Sequence, residues 1–183
     1  MGVYMEPVSR ETVGGITGVE LVRLSRWPDE RGWFREVFRT EWVAEQFDRQ
    51  VQLNLSFTRT GGLRGLHFHR KQWDWWIPVH GRIVAAVADL RPGSATFLGK
   101  AELELNSEEP ACLLIPPLVA HGFQALSDAK LLYAVNRFYD GTDEQGVAWD
   151  DPTLAVRWPL SDPILSDRDR NNPRVSEIVS EAR

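Results

Sequence analysis

The sequence predicts an all-β fold, either a closed barrel or two packed sheets, with short helices as a minor part. Short apolar segments recur roughly every ten residues, and the 11 prolines and 14 glycines are spread between them. This spacing is typical of a β-sandwich or barrel. Because the sequence contains no internal repeat and no linker, we expect residues 1–183 to form a single domain.

The predicted strands follow from local patterns. Residues 97–105 alternate apolar and acidic side chains in their second half, which is typical of a half-buried strand. Residues 83–90, 111–115 and 131–138 are short and largely apolar and predict more deeply buried strands. The tryptophan-rich residues 73–76 also favour a strand. Pro116 and Pro117 are expected to end the strand at 111–115.

Helices are expected at two places. Thr40 is a suitable cap for a short helix over residues 41–49, in which Val43 and Phe47 lie on one face. Residues 174–183 are polar enough to form either a short helix or a frayed end.

The composition argues against several classes of function. A formal net charge of −5 is unsuited to a broad nucleic-acid-binding face. The longest aliphatic run, residues 83–88, is far shorter than the ~20 residues that a membrane span needs. The one cysteine, Cys112, cannot form an internal disulfide, and no secretion leader opens the chain, so we expect a cytoplasmic protein.

Histidine is scarce, and its placement predicts a polar site. His67 and His69 are two residues apart, so on a strand both side chains point to the same face. Arg64 lies in the same segment, and His121 follows the Pro116-Pro117 turn and can come from a neighbouring strand. We therefore expect three of the four histidines to meet at one cavity. The alternative is that each is an ordinary hydrogen-bonded histidine of the core or surface.

A series of short motifs provides a second line of argument. They include D-x-R-G-x-F-x-E at 29–36, Q-x-N-x-S-x-T at 52–58, G-L-R-G-L-H at 62–67, A-H-G-F at 120–123, L-Y at 132–133 and L-S-x-x-D at 165–169. In this order, over residues 19–173, the motifs resemble the dTDP-4-dehydrorhamnose 3,5-epimerase family of the cupin superfamily. Each motif alone is weak evidence, but the ordered series is specific.

The resemblance implies a fold and a reaction. The fold would be a cupin-type double-stranded β-helix, a jelly-roll barrel, in a homodimer. The reaction would be the epimerisation of a nucleotide-linked 4-keto-6-deoxyhexose without metal or cofactor, by proton abstraction at C3, with C5 open. His67 would be the base, Asp169 the carboxylate that orients it, and Tyr133 the acid on the opposite face.

The resemblance also implies which residues bind the substrate. Arg64 would bind the diphosphate, because a guanidinium can contact two phosphate oxygens at once. Gln52 and Asn54 would hydrogen-bond the nucleoside or phosphate. The family's base-recognition strand, donated across a dimer, would correspond to Arg31, Phe34 and Glu36.

Two positions depart from the family pattern. His69 stands where the family has glutamine, and Asp74 falls where it has an active-site lysine. We expect both side chains, with His121, to line the substrate cavity. An anion beside the forming enolate opposes the reaction, so either His69 or His121 takes over the role of the lysine, or the chemistry is altered or lost.

These departures leave two other hypotheses open. In a metal-dependent cupin enzyme, His67, His69 and His121 would bind a transition metal, with Gln72 or Asp74 as the fourth ligand. In the other hypothesis, the protein binds a sugar nucleotide without catalysis.

Overall fold

The computed structural model of the protein describes residues 7–47, 49–109, 111–139 and 141–181. In chain order its strands are β1 (Ser9–Thr12), β2 (Glu20–Arg23), β3 (Trp27–Asp29), β4 (Gly32–Phe34), β5 (Gln52–Thr58), β6 (Leu63–His69), β7 (Asp74–His80), β8 (Arg82–Asp89), β9 (Lys100–Asn106), β10 (Ala111–Ile115), β11 (Val119–Ala125), β12 (Ala129–Val135) and β13 (Glu144–Gly146). The helices are a 3₁₀ turn (Thr40–Val43), α1 (Asp167–Arg170) and α2 (Val175–Glu181). Within the described residues, neither α-helix is long or apolar enough to cross a membrane.

Two antiparallel sheets pack face to face. One has six strands in the order β1-β2-β10-β7-β12-β5, and the other has five in the order β13-β6-β11-β8-β9. Strands that are neighbours in sequence often lie in different sheets, as β6 and β7 do, which is the connectivity of a jelly roll. The all-β jelly-roll prediction is therefore confirmed.

The buried apolar side chains form three clusters, one between the two sheets and one on the outer face of each sheet. Ile83, Ile115 and Leu131 belong to the inner cluster. Residues 37–51 pack Trp42 and neighbouring side chains on the outside of the six-stranded sheet. Leu154 and other residues cover the outside of the five-stranded sheet. Because the central strands are covered on both faces, they read as continuous apolar runs rather than as alternating ones.

Most predicted strands are present, with shifted ends. The strand at 111–115 has the predicted limits, while β8 begins one residue earlier than predicted and β12 ends before Asn136. β9 begins at Lys100, because residues 95–98 form a turn just before it. The tryptophan-rich segment lies mainly in β7, which begins at Asp74.

The first predicted helix is wrong in type and in its cap. The segment forms a 3₁₀ turn over Thr40–Val43, in which Arg39 occupies the N-cap position without a side-chain hydrogen bond. Trp42 and Val43 are buried against the sheet, so packing rather than a helix cap fixes this segment. At the other end, α2 covers Val175–Glu181, and residues 182–183 lie outside the described part of the chain.

Candidate active site

A cavity of about 510 Å³ lies between the two sheets. It is lined by side chains from β5, β6, β7, β11, β12, β13 and α1, and from the segments next to them. The residues that line it are Gln52, Asn54, Ser56, Arg64, His67, His69, Gln72, Asp74, Trp76, His121, Phe123, Leu131, Tyr133, Val135, Tyr139, Glu144, Ser166, Arg168 and Asp169. Nine of the twelve predicted site residues are among them.

The predicted base and its orienting carboxylate are in direct contact. Nε2 of His67 lies 2.6 Å from Oδ1 of Asp169. Asp169 is buried, and its Oδ2 also accepts a hydrogen bond from the backbone N–H of Gly65 at 3.4 Å. Burial raises the pKa of Asp169, but the hydrogen bonds from His67 and Gly65 outweigh this and bring the pKa below its ordinary value. An ionised carboxylate accepts the Nε2 proton, which leaves the lone pair of neutral His67 on Nδ1.

The position of Asp169 depends on the short helix α1. Ser166 caps this helix, since its hydroxyl oxygen accepts a hydrogen bond from the N–H of Asp169 at 3.1 Å. The segment before the cap is fixed as well, because Ile164 forms a bridge with Gly62 just before β6. The helix that carries the carboxylate is therefore attached to the strand that carries the histidine.

Arg64 reaches the cavity because β6 contains an irregularity. His67 pairs with His121 and Arg64 pairs with Phe123, so three steps along β6 match two steps along β11. This β-bulge turns Arg64 to the same face as His67. The close contact also needs glycine, because a Cβ added to Gly65, whose φ is 128°, would lie 2.6 Å from the Cα of Gly122.

Tyr133 enters the cavity from the opposite sheet. It lies on β12, where it pairs with Trp76 of β7 and Asn54 of β5. Burial is the largest cause that raises its pKa, and the negative charge of Asp74 raises it further. Its hydroxyl makes no hydrogen bond within the described residues, so it is available to a bound molecule and stays protonated at neutral pH.

His69, Asp74 and His121 form a cluster at the bottom of the cavity. Their ligand atoms all lie within 4.8 Å of one another, and Nε2 of His69 is 3.9 Å from Oδ2 of Asp74. Burial lowers the pKa of His121 to about 4, so this imidazole is neutral near pH 7. The cluster has a different composition from the predicted metal site, because His67 contacts Asp169 and Asp74 takes the third place.

The predicted substrate-binding residues fall into two groups. Gln52 and Asn54 line the cavity, and Nε2 of Gln52 donates a hydrogen bond to Oδ1 of Asn54 at 2.9 Å. Arg31, Phe34 and Glu36 lie outside the cavity of their own chain. Arg31 is paired with Asp29, and Phe34 is exposed on the β3–β4 ribbon.

Several cavity residues have no counterpart among the sequence predictions. Glu144 lies 3.8 Å from Nδ1 of His67 and 2.5 Å from Nη1 of Arg168. Its strand, β13, has three residues with no apolar pattern, so nothing in the sequence indicates it. Ser56 could have been found, because Gln52, Asn54 and Ser56 alternate with Leu53 and Leu55 along β5.

A family model described as dTDP-4-dehydrorhamnose 3,5-epimerase matches residues 14–177. Among similar proteins, the dTDP-4-dehydrorhamnose 3,5-epimerase of Shigella flexneri is 35% identical over 153 residues, which are 80% of this chain and 84% of the relative. The dTDP-4-dehydrorhamnose 3-epimerase of Streptomyces niveus is 34% identical over 92% of this chain and 83% of the relative.

A solved structure resembles the whole fold. The dTDP-6-deoxy-D-glucose-3,5-epimerase of Legionella pneumophila, in complex with dTDP-4-keto-L-rhamnose, is 30% identical and has a TM-score of 0.86. The similarity covers 94% of this chain and 95% of the Legionella chain. The similarity therefore includes both sheets and the cavity between them.

Proposed function

Since the chain belongs to the dTDP-4-dehydrorhamnose 3,5-epimerase family, we propose that it is an isomerase that inverts C3 of a dTDP-linked 4-keto-6-deoxyhexose. The similar proteins include both a 3,5-epimerase and a 3-epimerase, which share inversion at C3. The observation that carries the proposal is the contact between His67 and Asp169 inside the cavity.

The base in this reaction is His67. A proton next to the C4 ketone is acidic enough to remove only when the base is held in place and the enolate is stabilised. Asp169 holds Nε2–H, so Nδ1 faces the substrate with its lone pair. The carboxylate then stabilises the imidazolium that forms when Nδ1 takes the proton.

The acid on the other face is Tyr133. Its side chain comes from the six-stranded sheet, whereas His67 comes from the five-stranded sheet, so the two groups approach a bound sugar from different sides. The raised pKa of Tyr133 keeps its hydroxyl protonated, so that it can donate the proton to the enolate carbon. Delivery from this side inverts the carbon.

The nucleoside diphosphate is bound at the mouth of the cavity. Arg64 donates from Nε to Oγ1 of Thr58 at 2.8 Å, which fixes the guanidinium while leaving Nη1 for a phosphate oxygen. Gln52 and Asn54 lie on β5 in the opposite sheet and supply amide groups. These three side chains supply hydrogen-bonding groups for a charged, polar ligand.

The complete site also requires a second copy of the chain. β5 is an edge strand, and Leu53, Leu55 and Phe57 on its outer face are 60%, 64% and 51% exposed. An apolar edge of this kind is suited to pairing with another chain. In a homodimer, Arg31, Phe34 and Glu36 would reach the nucleoside in the partner's cavity.

Deuterium uptake from D₂O tests the proposal directly. Incubation with dTDP-4-keto-6-deoxyglucose, followed by NMR of the sugar, should show exchange at C3. Exchange at C5 as well would identify a 3,5-epimerase. If folded protein that binds the nucleotide causes no exchange at either carbon, it is a non-catalytic binder and the proposal is wrong.

A pair of histidine variants locates the base. His67→Asn should reduce the exchange rate by about 10²–10⁴-fold, because a positioned base typically contributes that much. His80→Asn is the matched control, since His80 is exposed at the end of β7, outside the cavity. Equal rates for the two variants would place the base elsewhere.

A further inference from the structure

His69 lies at the bottom of the cavity beside the carboxylate of Asp74. Nε2 of His69 is 3.9 Å from Oδ2 of Asp74, which is the distance of an ion pair but is too long for a direct hydrogen bond. Both side chains are buried. Within the described residues, no lysine or arginine pairs with Asp74, and neither ring nitrogen of His69 makes a hydrogen bond. The imidazole is therefore placed to balance this carboxylate while keeping its N–H groups for a bound molecule.

The other hydrogen-bond donors at the bottom of the cavity are already engaged. Nε2 of Gln72 and Nε1 of Trp76 lie 3.1 Å and 3.4 Å from the two oxygens of the same carboxylate. Nδ1 of His121 lies 2.9 Å from a backbone carbonyl oxygen, which can only accept, so the Nδ1 proton is used there. Burial lowers the pKa of His121 to about 4, so its Nε2 carries no proton near pH 7. At this end of the cavity, His69 is the donor that remains.

The charges around His69 favour a cation at this position. The titratable groups that surround it are Asp74 of β7, Glu144 of β13, His121 of β11, Tyr133 of β12 and His67 of its own strand. Glu144 lies directly opposite His69 in the pairing of β13 with β6, but it already pairs with Arg168 at 2.5 Å. His121 and Tyr133 are neutral near pH 7. Asp74 is therefore the charge that a protonated His69 would balance.

His69 is also well placed relative to the base. His67 and His69 lie on the same face of β6, and two residues span about 6.6 Å along a strand. This interval has room for a ketone whose C3 proton faces Nδ1 of His67 and whose C4 oxygen faces His69. Removal of the C3 proton moves negative charge onto the C4 oxygen, so a donor directed at that oxygen stabilises the transition state.

From this arrangement, we propose that His69, as an imidazolium with Asp74 as its counter-ion, donates a hydrogen bond to the C4 oxygen of the sugar; the inference rests on the proposed function. The C3–H bond breaks, its proton goes to Nδ1 of His67, and its electron pair shifts so that the C4 oxygen becomes negative. The electron pair returns to C3 when Tyr133 delivers its proton, so His69 gives up no proton over the cycle. His69 is thus a catalytic residue, and Asp74 is a positioning residue that acts through it.

Two variants of His69 test this role by deuterium exchange at C3. His69→Leu should lower the exchange rate by about 10²–10³-fold, because the loss of one donor to an oxyanion typically costs that much. His69→Gln, which keeps an uncharged N–H, should give a rate between those of His69→Leu and the wild type. Both variants should bind dTDP as the wild type does, because the side chains proposed for the nucleotide are unchanged. His80→Gln is the control and should keep the wild-type rate, since His80 is exposed outside the cavity.

The pH dependence distinguishes a counter-ion from a structural role of Asp74. In the wild type, the exchange rate should rise with pH as His67 becomes neutral and fall again as His69 loses its proton. Asp74→Asn has nearly the same shape but no charge, so the falling limb should move to lower pH by at least about one unit. A structural role would lower the rate at every pH without moving the limb. Asp150→Asn, in a surface pair with Arg174, should leave the profile unchanged.

The outcomes separate this inference from the proposed function. Folded wild-type protein that binds dTDP but exchanges neither proton would overturn the proposed function, and the role of His69 with it. Exchange in the wild type, together with an unchanged rate in His69→Leu or an unshifted profile in Asp74→Asn, would overturn only the role of this pair. Loss of wild-type exchange on treatment with a chelator would do the same, because the cation at the C4 oxygen would then be a metal ion.

Discussion

Nε2 of His67 and Oδ1 of Asp169 are 2.6 Å apart, although 102 positions separate the two residues in the chain. The distance is that of a strong hydrogen bond between a ring N–H and a carboxylate. The carboxylate is buried and also accepts a hydrogen bond from the backbone N–H of Gly65, so it stays in place when the imidazole gains and loses a proton. This contact fixes both the tautomer and the orientation of the predicted base.

Asp169→Asn should disable the base without disturbing the fold. An amide can present its N–H to Nε2, which moves the imidazole proton to Nδ1 and removes the lone pair that faces the substrate. We expect the exchange rate to fall by about 10²–10⁴-fold while nucleotide binding is retained. Asp167→Asn is the control, because Asp167 lies on the same helix but is exposed. Unchanged exchange in Asp169→Asn would show that the contact is structural.

A second carboxylate, Asp89, should contribute stability rather than catalysis. It is fully buried, and its oxygens accept hydrogen bonds from Arg91 at 2.8 Å, Ser94 at 2.6 Å and Thr96 at 2.7 Å. Burial raises its pKa, but these hydrogen bonds together bring the pKa far below its ordinary value of 3.8. Asp89→Asn should lower the free energy of unfolding by about 3–5 kcal/mol, measured by urea denaturation at pH 7.

The pH dependence of this loss has a definite sign. The lowered pKa in the folded state means that the stabilisation by Asp89 is complete above about pH 4 and is lost as the pH falls towards the folded pKa. The difference in the free energy of unfolding between the wild type and Asp89→Asn should therefore be constant from about pH 5 to 8 and shrink below about pH 4. Asp150→Asn, which breaks a surface pair with Arg174, should cost less than about 1 kcal/mol. A constant difference down to about pH 2 would contradict the assignment.

The elements predicted best are those whose ends are marked in the sequence. The strand at 111–115 has the predicted limits because Pro116 and Pro117 follow it directly. The helix predicted from Thr40 is wrong, because the burial of Trp42 and Val43 outweighs a local capping preference. Hydrophobic periodicity reports the pattern within one segment. It therefore predicts secondary structure poorly where packing against another element determines the conformation.

The site was predictable only in part, for a related reason. Two-residue spacing correctly brings His67 and His69 to one cavity, and motif order brings in Asp169. The bulge that turns Arg64 inward depends on the pairing of β6 with β11, which no local pattern reports. Glu144 is absent from the predictions because its short strand is defined by its partner and not by its own composition.

Tyr133→Phe should separate proton exchange from inversion. Without the hydroxyl, the enolate can still regain a proton from the side of His67, so some exchange continues but the carbon is not inverted. The ratio of exchange to inversion at C3, followed by NMR in D₂O, should therefore rise at least about 10-fold. In contrast, His67→Asn should lose both. A parallel loss of exchange and inversion in Tyr133→Phe would assign the tyrosine to substrate binding instead of proton transfer.

Leu55→Asp should weaken the proposed dimer and, with it, nucleotide binding. Leu55 is 64% exposed at the centre of the apolar outer face of edge strand β5. An aspartate in a dimer interface would be buried without a partner, at a cost of several kcal/mol. Light scattering coupled to gel filtration should show a dimeric wild type and a folded, monomeric variant. Val8→Asp, at an equally exposed valine elsewhere, should remain dimeric.

Because Arg31 and Phe34 lie outside the cavity of their own chain, the monomer should bind dTDP more weakly than the dimer does. Equal affinity would mean that each cavity is complete without its partner.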